Sequence, residues 1–185
     1  MTAAITQFDD LSKEAGMQGF VLYHKALALA SVGDYDLVKS VLGEEGLDIT
    51  FSRVAMRPGK PLIFGTLYGK PMLGLPGNPV SAGVTAALFL KPAIDVMLGR
   101  NLAAHARETA ILTRDLPEND RRQDYLRSVL GRNEVGELTV QPFDKQDSSM
   151  LRVFSRADCL AVRAPFAKPA KIGDRIEIIR LDPRG

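Results

Sequence analysis

From residue 106 onward the apolar residues come in five short runs, at 108–112, 123–130, 137–142, 159–163 and 175–181, separated by turns containing Gly, Pro and Asp. No other feature limits the fold as much. Runs of this length are too short to be helices that bury a face, and their turn-bounded spacing predicts strands. Strands this short are stable only when several pack together, so the segment predicts a small all-β barrel or sandwich.

The residues before it have a different texture. The stretch 8–15 reads as a short helix, and the apolar stretch 19–30 fits either a strand or a helix. A short helix is predicted over 36–43, ended by Gly43 and Gly46. A strand follows over 49–56, then an irregular loop at 57–61. Residues 62–67 and 71–75 read as a hairpin turning at Tyr68-Gly69-Lys70. Asn78 suits an N-cap and Pro79 a first helical position, opening a long apolar helix over 80–98 that Gly99 closes and Pro92 should kink or split. The expected fold class is α/β for residues 1–103, as an incomplete domain, followed by a small barrel-like all-β domain over 104–185.

Bulk properties exclude several classes. With 45% hydrophobic and 25% charged residues the chain is globular in balance, and its net charge of +2 is too small for a nucleic-acid protein. One cysteine, Cys159, allows no internal disulfide and suits a reducing compartment. His24 and His105 lie far apart, so no Cys/His zinc site is expected. No stretch reads as the roughly 18 apolar residues of a membrane span, and the N-terminus lacks signal-peptide texture. A cytoplasmic protein with no membrane partner is expected.

Three loops carry candidate chemistry. In Ser31-Val32-Gly33-Asp34-Tyr35-Asp36, two carboxylates stand two residues apart at the mouth of a helix. Asp34 and Asp36 suit a Mg²⁺ ion held through one or two carboxylates, and equally a plain helix cap. The second loop joins Arg53 to Arg57-Pro58-Gly59-Lys60-Pro61 and places three cations close to a stiff turn. Guanidinium and ammonium groups bind oxyanions, although isolated basic residues in a turn are more often only solvated. The third runs through Pro76-Gly77-Asn78-Pro79-Val80-Ser81, where a strand enters a helix start whose amides and dipole favour an anion. Its simpler reading is a well-capped helix. A fourth stretch, Gln146-Asp147-Ser148-Ser149, offers hydroxyls that bond an oxyanion or cap a turn. None of these has the spacing of a nucleotide-binding loop. Tyr125 and Phe143 read as core aromatics.

Taken in order, Ser-Val-Gly-Asp-Tyr-Asp, Met-Arg-Pro-Gly-Lys-Pro and Gly-Leu-Pro-Gly-Asn-Pro-Val-Ser-Ala resemble the molybdopterin molybdenumtransferases, the MoeA family that includes the gephyrin E domain. Residues 121–127, 146–151 and 173–176 resemble that family's C-terminal β domain, and the likeness runs from about Ser31 to Leu181. It implies a three-layer molybdopterin-binding domain, here in part, and a reaction in which adenylylated molybdopterin and molybdate combine with Mg²⁺ and AMP is released. By motif it implies Asp36 and Asp34 as catalytic and metal-binding residues. It implies Arg53, Arg57, Lys60, Pro76, Gly77, Asn78, Pro79, Ser81, Ser148 and Ser149 as substrate-binding residues. A homodimer is implied, and so is a chain supplying the N-terminal half, since relatives are about twice as long. Ala28-Leu29 stands where the family has Gly-Gly, which motivates a second reading: a ligand-binding or oligomerisation relative without transferase activity.

Overall fold

The computed structural model describes residues 42–43, 46–100, 107–146 and 151–181. They fall into two compact units, Met1–Val54 with Pro61–Gly77, and Ala55–Lys60 with Asn78–Gly185. The expected boundary at 103–104 is a single cut. The observed division is interleaved, because a six-residue segment and the long helix go with the C-terminal strands.

In the first unit, β1 (Leu47–Phe51), β3 (Ile63–Leu67) and β4 (Lys70–Gly74) form an antiparallel sheet in the order β1-β3-β4. The predicted hairpin is present, and its turn residues Tyr68 and Gly69 both have positive φ, 52° and 72°. Such a turn matches the right-handed twist of the paired strands. A side chain at Gly65 would strike the Asp48 carbonyl on the neighbouring strand.

The single strand expected over 49–56 is in fact two. β1 ends at Phe51, and Met56–Arg57 forms a separate short strand, β2, that pairs in parallel with β6 of the second unit. Alternation along the sequence marks both pieces as extended but cannot show that they serve different sheets.

The second unit is built on a barrel. Its strands are β5 (Glu108–Leu112), β6 (Gln123–Arg132), β7 (Leu138–Pro142), β8 (Cys159–Arg163) and β9 (Arg175–Arg180), close to the predicted runs. They lie in the order β6-β7-β5-β9-β8, and pairing of β6 with β8 closes the ring. Strand β6 is long enough to serve β2 with its first residues and β7 with its last along one edge, while β8 runs along the other. The core is aliphatic: Ala110, Leu112, Val140, Ala161 and Ile178 are fully buried beside Cys159. Tyr125 and Phe143, expected there, are only half-buried and lie outside this cluster.

The apolar helix runs without a break from Pro79 to Met97, as α1 (Pro79–Thr85), a π-helical stretch (Ala86–Leu90) and α2 (Lys91–Met97). Pro92 has no N–H to bond one turn back, and a π-helical stretch stands just before it, where the missing bond is accommodated. Gly99, at φ 67°, closes the helix, with Arg100 N–H donating to the Asp95 carbonyl at 2.8 Å. By length and composition this helix is long and apolar enough to cross a membrane, where the sequence reading expected no such stretch. It nevertheless carries Asp95, buried and paired with Lys91 at 2.8 Å and Arg100 at 3.5 Å. A short helix, α3 (Leu151–Phe154), lies against α1, where the Phe154 ring fills the space a side chain at Gly83 would need.

Candidate functional site

The basic loop 55–60 is fixed at both ends. At its start, Gln123 N–H donates to the Ala55 carbonyl at 2.9 Å, and Met56 and Arg57 lie beside Gln123 and Asp124 in the ladder. At its turn, Gly59 has φ 114°, a conformation open in practice only to glycine, and a Cβ there would stand 2.5 Å from Thr85 Cγ2. The loop therefore packs on α1, one turn beyond Ser81. Met56, Pro58 and Gly59 are buried, and Lys60 is exposed. Lys60 has no ion pair or hydrogen bond among the described residues.

Arg57 is held by carboxylates. Its Nε donates to Asp124 Oδ1 at 2.8 Å, and one Nη2 hydrogen goes to Asp124 Oδ2 in a bidentate pair. Nη2 also reaches Asn119 Oδ1 at 3.4 Å, and Nη1 reaches Asp120 Oδ2 at 3.2 Å. A guanidinium has five N–H donors. Four are engaged here, leaving one for any substrate. The hydrogen bond to Asp124, more than any other contact, raises the pKa of Arg57 above its ordinary value. Asp124 is buried while Arg57 remains half-exposed. Arg122 completes the cluster, donating to Asp120 from its side chain at 2.9 Å and from its backbone at 2.8 Å. Asn119 anchors it, donating to the carbonyls of Arg122 and Ala164, each at 2.8 Å. Two guanidinium and two carboxylate groups sum to no net charge.

At the third loop the predicted cap is present. Asn78 Oδ1 accepts from Val80 N–H at 3.1 Å and Ser81 N–H at 3.4 Å, and its carbonyl accepts from Ala82 at 2.8 Å. Pro79 has no N–H. The first-turn amides expected to meet an anion are therefore taken by the cap, and what remains there for an anion is the helix dipole. Pro76 and Ser81 are buried, and Gly77 and Pro79 exposed.

Sequence reasoning missed a buried cation. Arg127, in the middle of β6, is 2% exposed. Gln146 holds the backbone beside it: its Oε1 accepts from Arg127 N–H at 3.0 Å, and its Nε2 donates to the carbonyls of Arg127 at 3.0 Å and Phe143 at 2.9 Å. The signal was a charged residue between Leu126 and Val129 in an otherwise strand-forming run.

Of the expected site residues, Arg57, Lys60, Asn78, Pro79 and Ser81 belong to the second unit, and Arg53, Pro76 and Gly77 to the first. Asp34, Asp36, Ser148 and Ser149, with His24 and His105, lie outside the described residues. Among the described residues no group of three or more His, Cys, Asp or Glu side chains is placed to hold a metal.

Comparison with known proteins defines the class. Residues 30–96 match a probable molybdopterin binding domain, and residues 109–181 match the MoeA C-terminal region (domain IV). The two follow one another as the loops and the barrel do. The chain belongs to the molybdopterin molybdenumtransferase (MoeA) family, of which it carries the C-terminal part. It is 36% identical over 149 residues to the molybdopterin molybdenumtransferase of Haemophilus influenzae, covering 80% of this chain and 37% of that protein. It is 37% identical to the molybdenum cofactor synthesis protein cinnamon of Drosophila melanogaster, over 78% of this chain and 23% of that one. The solved molybdopterin biosynthesis moea protein of Pyrococcus horikosii superposes with a TM-score of 0.65 at 28% identity, over 80% of this chain and 35% of that structure. The chain thus spans about a third or less of the length of these relatives.

Proposed function

We propose that this chain acts in molybdenum cofactor biosynthesis as the substrate-binding C-terminal part of a molybdenumtransferase that inserts molybdate into adenylylated molybdopterin and releases AMP. The observation that carries the reading is the match of two successive family regions to the loop-bearing and barrel parts of one chain. Both substrates are oxyanions, and preorganised cations stabilise such charge. In the second unit, Lys60 supplies an exposed ammonium on a fixed loop, Arg57 a single remaining N–H, and the Asn78 helix its dipole, with Pro79 and Ser81 in its first turn. Arg53, Pro76 and Gly77, in the first unit, are substrate-binding candidates by the family resemblance. Ser148 and Ser149 offer hydroxyls, and Asp34 and Asp36 suit Mg²⁺ by their spacing. The protein works in the cytoplasm as a homodimer.

The test is AMP release from adenylylated molybdopterin in the presence of molybdate and Mg²⁺, measured for the chain alone and with the N-terminal half of a relative. Release in either mixture, reduced at least tenfold by Lys60→Ala, is the expected result. Molybdate binding without AMP release in both would favour the non-catalytic reading.

A further inference from the structure

Arg57 was expected to grip substrate, yet its guanidinium is turned into Asp124, Asp120 and Asn119. The acceptor that takes two of its donors is itself buried, with an Asp124 side chain 8% exposed. Asp124 lies directly opposite Arg57 in the β2–β6 ladder, so the side-chain pair and the backbone pairing fix the same two residues. Two positions further on, Gly59 is wedged against Thr85, and Lys60 follows it.

We propose that Asp124 is a positioning residue: through Arg57 it clasps the basic loop to the barrel and so fixes the place of the Lys60 ammonium for oxyanion binding. This rests on the anion-binding reading above. The clasp is electrically neutral once Asp120 and Arg122 are counted, so it adds rigidity and not attraction. It also explains why an arginine stands at 57: only a planar fork takes both oxygens of one carboxylate while reaching two further acceptors.

The test uses the full chain and two independent readouts, amide hydrogen exchange at Gln123, whose N–H donates to the Ala55 carbonyl at the start of the loop, and molybdate affinity by calorimetry. Asp124→Asn should speed exchange at that amide about tenfold, the equivalent of one charge-assisted hydrogen bond, with barrel amides such as Leu112 and Ile178 still protected. Affinity for molybdate should fall by a similar factor. The charge swap Arg57→Asp with Asp124→Arg should restore slow exchange, because it re-forms an ion pair across the same ladder step. Tighter molybdate binding by Asp124→Asn would overturn the proposal, because it would mean that Asp124 merely occupies a ligand. So would unchanged exchange at Gln123, or a folded charge swap that leaves it fast. If the swap loses its barrel protection, Asp124→Glu decides: wild-type exchange supports the clasp and fast exchange overturns it. Lys60→Ala should weaken molybdate binding without altering exchange. A wild-type chain that binds no molybdate would sink the anion-binding reading while the exchange data still judge the clasp.

Discussion

At the scale of single residues, the acidic groups of the clasp give the fold an acid limit. Hydrogen bonds from the Arg122 side chain and backbone, aided by the charge of Arg57, lower the Asp120 pKa from 3.8 to about 2. A carboxyl whose folded pKa lies below its unfolded one stabilises the fold above the unfolded value, and this contribution is lost as pH falls through the folded one. Glu108, paired with Arg180, and Asp115, paired with Lys171, are lowered in the same direction. Urea stability should therefore drop between pH 3.8 and about 2, and Asp120→Asn should make that drop shallower. Gly59→Ala should cost about 1–3 kcal/mol in chemical denaturation, for a strained φ and a collision with Thr85. Burial pushes the Cys159 thiol up to about 12, so alkylation should proceed only as the protein unfolds. The burial of Cys159 follows from the apolar run around it, which is a local signal. The partners of Arg57 were not, because Asp120 and Asp124 lie 63 and 67 residues away and no local pattern connects them.

At the scale of elements, what was legible is what local chemistry decides. The barrel strands, the hairpin and the helix termini follow from apolar alternation, turn residues and caps, all short-range signals. Asn78→Ala should cost about 1 kcal/mol of stability, measured by thermal melting, since two amides lose their acceptor. The same cap carries the simpler of the two readings of that loop: a residue that caps a helix well also takes amides that an anion could use. Pro92 was recognised as a misfit, but that a π turn would precede it depends on packing that no local pattern reveals. The strand over 49–56 was mistaken for one element because extended character is local, whereas the choice of a partner strand is not.

At the scale of the whole molecule, the aliphatic barrel core sets the stability of the second unit. Ile178→Ala, at a fully buried position, should cost about 2–5 kcal/mol and lower the melting temperature accordingly. The sequence divides at one point near residue 103, yet the fold assigns Ala55–Lys60 to the barrel side of the division. A polypeptide leaves the ribosome N-terminus first. The short strand at Met56–Arg57 is therefore synthesised well before the barrel edge that receives it, and the Asp124 carboxylate emerges only after the whole of the first sheet has been made. During synthesis the segment must remain unpaired until its acceptor strand arrives, so an early strand waits for a partner 67 residues further along the chain.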